Sequence, residues 1–147
     1  MQVDVNTSIV IERPVDVVAR YAMDPDKAPL WYKNIKSIEW RTPHPLRVGT
    51  KLDFVAEFLG RRLAYTYEVV ELVENERLVM RTAQGPFAME TTYEFAASGP
   101  ASTRMNLRNR GELKGFAAIM APVMVGGMRT ANEKDLATLK AILEDNG

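Results

Sequence analysis

Cysteine is absent from all 147 residues, so disulfides, thiolate metal sites and cysteine nucleophiles are excluded. That absence suits a reducing compartment. Histidine occurs once, as His44, between Pro43 and Pro45. A lone imidazole cannot build a histidine-rich metal site, and no H-E-x-x-H pattern or acidic cluster accompanies it. It can act as a general base only if its loop folds over a pocket. An excess of one charge is missing too: 19 Lys and Arg balance 19 Asp and Glu. Nothing therefore advertises the phosphate neutralisation on which nucleic-acid binding leans. Long apolar runs are also lacking. The longest, residues 115–128, falls short of the roughly 20 residues that span a bilayer. The N-terminus alternates polar and apolar residues where a signal peptide has a continuous apolar core. The glycine pair Gly126 and Gly127 lacks the lysine and the strand-to-helix setting of a phosphate loop. The expectation is a cytoplasmic protein with no metal, no cofactor, no nucleic-acid partner and no stable membrane insertion; a homodimer stays open.

What is present is periodicity. Val3, Val5, Thr7, Ile9 and Ile11 recur at every second position, the period of a strand. Pro14 stops that strand and suits the first turn of a short helix over 15–23. Asp24 and Pro25, an N-cap followed by a first-turn proline, predict a second short helix ending near Pro29. Strands and turns follow, the first over 35–41 and closed by the Pro43-His44-Pro45 loop. In 51–59, Leu52, Phe54, Ala56 and Phe58 alternate with Lys51, Asp53, Val55 and Glu57, giving one clear inner face. Gly60 turns into a strand over 63–73, Asn75 into 77–83, Gln84-Gly85-Pro86 into 87–96, and Ser98-Gly99-Pro100 into 102–113. Phe87, Met89, Thr91, Tyr93 and Phe95 share one face, as do Met105, Leu107 and Asn109. A turn every ten to fifteen residues is the rhythm of an antiparallel meander.

From Gly115 a long helix is expected to about Glu144, bent where Pro122 and the glycine pair interrupt it. Its second half is amphipathic, with Leu136, Leu139 and Leu143 on one stripe. No linker or repeat divides the chain, and its length is that of one domain, 1–147. One helix cannot cover seven strands lying flat. The sheet must curl, and a curled sheet gripping a helix leaves a gap between them.

This order of elements, with the stretches Ile11-Glu12-Arg13-Pro14-Val15-Asp16-Val17-Val18 and Trp31-Tyr32-Lys33-Asn34-Ile35, resembles the polyketide cyclase/dehydrase and lipid-transport family of the START-like, helix-grip superfamily. The strand pair around Tyr67 to Leu72 and Glu76 to Leu78 is similar to it as well, and so is the late helix from Asp135 to Glu144. The resemblance implies an α+β helix-grip fold: a curved antiparallel seven-stranded sheet around a long C-terminal helix, with two short helices after the first strand. It also implies a hydrophobic ligand, or a cyclase, aromatase or dehydratase reaction. No catalytic motif of the family can be matched here, and catalytic residues stay unassigned.

The residues themselves point to a pocket. The helix segment 116–128 is apolar nearly all round, and Met120, Met124 and Met128 stand at i, i+4 and i+8. Methionine suits both an irregular core and a cavity that adapts to its contents, and both readings stand. Phe54, Phe58, Tyr65, Tyr67, Phe87 and Tyr93 place aromatic rings on the strands. A buried tyrosine hydroxyl wants a partner, which in a pocket can be a ligand oxygen. Met89 shares the face of Tyr93. Asn109 is an amide where an apolar group is expected, and Asn132 lies near the leucine stripe; each closes a backbone gap or points into a wet cavity. Trp31 and Tyr32 either gate the cavity mouth or staple the short helices to the sheet. Asp53, Glu57, Glu90 and Glu94 fall outward and read as solvated surface. The candidate ligand-binding set is therefore Trp31, Phe54, Phe58, Tyr65, Tyr67, Met89, Tyr93, Asn109, Met120 and Met124. Three functions compete: carriage of a small hydrophobic molecule (lipid, polyketide or aromatic), an enzyme of cyclase type, and an interaction module using the apolar helix segment. An enzyme requires a polar cluster deep in the cavity.

Overall fold

The computed structural model describes residues 2–58, 60–84 and 88–145, and not the side chains at 116 and 117. Leu59 and Phe87, and the Phe116 side chain, lie outside that description. Strand β1 (Gln2–Ile11) is followed by helix α1 (Val15–Ala22), a 3-10 turn (Pro25–Lys27) and helix α2 (Ala28–Trp31). Six strands succeed them: β2 (Ile35–Trp40), β3 (Lys51–Phe58), β4 (Arg61–Val73), β5 (Arg77–Gln84), β6 (Ala88–Gly99) and β7 (Ser102–Glu112). Helices α3 (Phe116–Ile119) and α4 (Ala121–Asp145) close the chain. All seven strands form one antiparallel sheet in the order β1-β7-β6-β5-β4-β3-β2. This is the expected α+β helix grip, with every strand pairing its neighbour in the meander and β1 returning beside β7.

Local chemistry explains the breaks. Pro14 lacks the N–H that would continue β1 and stands at the N-cap of α1. The Asp24 carboxylate accepts the Asp26 N–H at 3.0 Å and so caps the 3-10 turn. Gly60 (φ 76°) and Asn75 (φ 61°) supply the left-handed conformation that the β3–β4 and β4–β5 turns need. The pairing slips at Ile35/Ser37, Thr66/Tyr67, Val69/Glu71 and Ala97/Gly99. Each such bulge bends its strand and adds twist; the extra residues are Lys36 in β2, Val70 in β4, Ala83 in β5 and Ser98 in β6. They curl the sheet.

The inner face carries two apolar clusters. The larger joins Ile11, Val18, Trp31, Leu52, Phe54, Val69, Leu78, Phe95, Met105 and Leu107 to Leu136, Leu139 and Leu143 of α4. The smaller joins Val3, Val5 and Leu113 to Ala121, with Met124, Val125 and Met128 packed against it. The C-terminal end of α4 is tied to the β1–α1 corner. There the Lys140 ammonium donates to the Val10 carbonyl (2.7 Å), Arg13 donates to the Leu143 carbonyl (2.7 Å), and Glu144 accepts the Glu12 N–H (2.8 Å). The last helix is not continuous as its sequence suggests: it breaks at Met120, and Pro122 then sits in the first turn of α4, where its missing N–H costs no hydrogen bond. Gly126 and Gly127 stay inside the helix.

Carboxylates on the outer face are less solvated than expected. Glu90, whose side chain is 16% exposed, is held by both Arg81 (2.8 Å) and Arg110 (2.7 Å). Arg108 pairs with Asp4, Arg77 with Glu94 and Arg41 with Asp53. The neutral charge balance thus goes into cross-strand pairs, each worth little alone in water.

Replacing Leu139, which has no exposed surface, by Ala is expected to lower stability in urea unfolding by about 2–5 kcal/mol. Ile119→Ala, at a position 75% exposed, should stay within about 0.5 kcal/mol. Equal effects at the two sites would contradict the packing of α4 described above.

Candidate functional site

Between the two clusters lies a cavity of about 180 Å³. It exists because α4 packs along β1 and touches α2, while the strands β3 to β5 curve away beneath it. Its wall is mostly apolar, with Phe54, Ala56 and Phe58 from β3, Leu63 from β4, Met80 from β5, Met89 from β6 and Met124 and Met128 from α4. Gly111 faces Met89 across the β6–β7 pair, and a Cβ there would collide with the Met89 sulfur and the Ala88 carbonyl. The glycine therefore lets Met89 lie where it does.

Two groups of hydroxyls interrupt the apolar wall. In the first, the Thr91 hydroxyl donates to the Asn109 amide oxygen at 2.8 Å, and the Tyr67 hydroxyl lies 2.8 Å from the same Thr91 oxygen. Thr91 has one hydrogen and gives it to Asn109, so Tyr67 is the donor in the second bond. In the other, the hydroxyls of Tyr32 and Tyr93 meet at 2.5 Å, with the Tyr32 ring 4.0 Å from that of Trp31. Burial pushes all four phenols, Tyr32, Tyr65, Tyr67 and Tyr93, above the ordinary tyrosine value, so each stays protonated at neutral pH.

Facing them from α4 are Asp135 and Asn132, 3% and 5% exposed. One Asp135 oxygen accepts the backbone N–H of Lys33 at 3.1 Å. No ion pair holds the carboxylate among the described residues. Desolvation pushes its pKa up to about 6, against the weaker opposing pull of the Lys33 N–H and of the Lys33 charge. The Asn132 Nδ2 is buried with no hydrogen-bond partner among the described residues.

Of the ten residues expected from sequence, eight line the cavity: Phe54, Phe58, Tyr65, Tyr67, Met89, Tyr93, Asn109 and Met124. Trp31 does not. It is 1% exposed and packs behind Tyr32 and Tyr93, stapling α2 to the sheet. Met120 does not either: the helix break turns it out of the ridge, and it is 37% exposed while Met124 and Met128 reach the cavity. His44 stacks on Trp40 (3.8 Å between rings) near Asp26 on the outer surface, away from the cavity lining. Within the apolar helix segment, Ala121 is buried while Ile119 and Val123 are exposed, so only one side of it packs inward. Sequence reading missed Asp135, Thr91 and Asn34. The signal for Asp135 was there: with Asn132, Leu136, Leu139 and Leu143 it falls on the buried stripe of α4.

Among the described residues no group of three or more His, Asp or Glu side chains could hold a metal ion, and no helix is long and apolar enough to cross a membrane. A family model described as polyketide cyclase / dehydrase and lipid transport matches residues 2–144. No curated protein matches the chain. Among solved structures, a protein from Thermus thermophilus is 22% identical with a TM-score of 0.84, covering 98% of this chain and 99% of that one. A START superfamily protein from Mycobacterium smegmatis is 18% identical (TM-score 0.85, 98% and 99% covered). The Zhui aromatase/cyclase from Streptomyces sp. R1128 is 11% identical (TM-score 0.82, 98% and 94% covered). At these identities the likeness is one of fold.

An acid whose folded pKa exceeds its unfolded value binds more protons when folded, so stability falls as pH rises between the two values. For Asp135 that window runs from the ordinary 3.8 to about 6. Asp135→Asn keeps an oxygen for the Lys33 N–H and removes the buried charge. The variant is expected to be more stable than the parent at pH 7.5 by about 1–3 kcal/mol, with the difference vanishing near pH 4. Urea unfolding at both pH values measures it; a variant less stable at pH 7.5 would mean that the carboxylate is compensated in the fold.

Proposed function

Because the chain belongs to the polyketide cyclase / dehydrase and lipid transport family, we propose that it binds a small, largely hydrophobic molecule in the cavity between the sheet and α4. The observation that carries this reading is the apolar space itself. Cavities of roughly 150 Å³ accommodate a benzene-sized apolar molecule, and 180 Å³ suits a body of one or two rings or a short chain. Burial of that body supplies the affinity, at about 25 cal/mol per Å² of apolar surface. The hydroxyls of Tyr67 and Thr91 and the amides of Asn109 and Asn132 orient it, since a few polar groups in an apolar wall fix the pose of a ligand.

A second reading has its own observation. A carboxyl group with a pKa near 6, facing a tyrosine pair in a cavity, can exchange a proton with a bound molecule at neutral pH. This is the polar cluster that an enzyme of cyclase or dehydratase type requires. Its test is exchange of the methyl protons of 2-acetylnaphthalene in deuterated buffer, followed by NMR. Catalysed exchange that disappears in Asp135→Asn supports an enzyme, and a rate equal to buffer alone removes that support.

Binding is tested by native mass spectrometry of the purified protein with extraction of any retained molecule, and by titration with Prodan, a neutral fluorophore built on two fused rings. A bound apolar molecule, or saturable fluorescence enhancement, is expected. Ala131→Phe, which fills the cavity from α4, should weaken Prodan binding by roughly tenfold or more while leaving circular dichroism unchanged. Undiminished binding in that variant would place the probe elsewhere.

A further inference from the structure

The charge inside the cavity is unbalanced. Among the described residues of the lining, Asp135 alone carries a full charge at neutral pH; no Lys, Arg or His joins it. Its titratable neighbours are Tyr32 and Tyr93, both held protonated, and Lys33, which gives a backbone N–H while its side chain stays outside on an exposed residue. Glu133 and Lys134, beside it on α4, are exposed as well. A buried carboxylate whose nearby cation, Lys33, stays outside the cavity has two remedies, a proton or a cation from elsewhere.

The rest of the wall favours the second. Tyr32 and Tyr93 lie across from Asp135, and Phe54, Tyr65 and Tyr67 form a contiguous ring cluster with centroids 5.1–5.8 Å apart. Aromatic faces attract a cation through their quadrupole, more strongly when water is excluded. Asn132, one turn of α4 before Asp135, presents a buried amide N–H₂ with no acceptor among the described residues. Residues three apart on a helix stand about 5–6 Å from each other, so a ligand oxygen that distance from the cationic nitrogen would meet both groups. An anionic lipid meets the opposite conditions: a like charge and no basic group in the wall.

The geometry points to a cationic amine on an apolar body of one or two rings as the preferred ligand class, its ammonium at Asp135 and an acceptor oxygen at the Asn132 amide. This rests on the binding reading above and narrows it. The affinity of such an amine rises with pH through the titration of Asp135, because the amine keeps its proton until about pH 10 while the carboxylate loses its own near 6. A neutral ligand shows no such rise.

Three probes that share one ring system and differ at the terminal group separate the cases: 2-(1-naphthyl)ethylamine, 2-(1-naphthyl)ethanol and 1-naphthylacetic acid, titrated calorimetrically at about pH 8 and about pH 4.5. The amine is expected to bind roughly tenfold or more tighter than the alcohol at the higher pH, and the acid weakest. At the lower pH, and in Asp135→Asn at either pH, the preference for the amine should disappear. An alcohol or acid that binds as tightly as the amine at pH 8, or an amine preference that survives in Asp135→Asn, overturns the inference. If Prodan binds but none of the three probes does, the inference falls and the hydrophobic pocket stands. If Prodan fails too, both fall.

Discussion

A seven-stranded antiparallel sheet offers more concave apolar surface than one 25-residue helix can cover, and the rest of the molecule answers that mismatch. The sheet reduces its exposed area by curling, with bulges in β2, β4, β5 and β6 as the bending points. Helices α1 and α2 cover one end. The leucine stripe of α4 fills the middle, while its N-terminal half packs against Val3, Val5 and Leu113. Because the helix is secured at the β1–α1 corner, it cannot also settle onto β3 to β5, and the space left there is the cavity.

The cavity is more polar than a plain packing void. A void that only had to be tolerated would be dry and uniformly apolar. This one gathers four tyrosines, two threonines, amides and a buried carboxylate against Phe54, Met80, Met89 and Met124. Burying Asp135 and the Asn132 amide without full partners works against stability. Departures of this kind from local packing logic mark sites that serve something other than the fold. The family to which the chain belongs supplies the frame of the fold.

The outer face is arranged on the contrary principle. Charges there meet across strands, with Glu90 between two arginines and Asp4, Asp53 and Glu94 each held by one. Their separation from the inner face is strict: the strand period sends alternate side chains to opposite sides, so a charged exterior and an apolar interior are written into the same residues.

That period is why so much is legible in the sequence. Alternation along β1 and β3 identifies inner faces without any tertiary information, and Tyr65, Tyr67, Tyr93 and Asn109 follow from the same rule. Helix α4 is harder. Pro122 and the glycine pair blur its phase, so spacing groups Met120 with Met124 and Met128 although the break removes it from their ridge; Asp135 falls on the leucine stripe and is overlooked only because exposed charges flank it. Trp31 stays between gate and staple in the sequence because its burial depends on what α2 meets. Composition and periodicity determined the strands, their inward faces, the turns and the need for a curled sheet, since these depend on neighbours a few residues away. Only the tertiary structure decided which inward groups meet. The Tyr32–Tyr93 hydroxyl contact spans 61 residues and the Lys33–Asp135 bond 102, and such pairings are set by where bulges bend the sheet and where the helix is anchored, which no local pattern encodes.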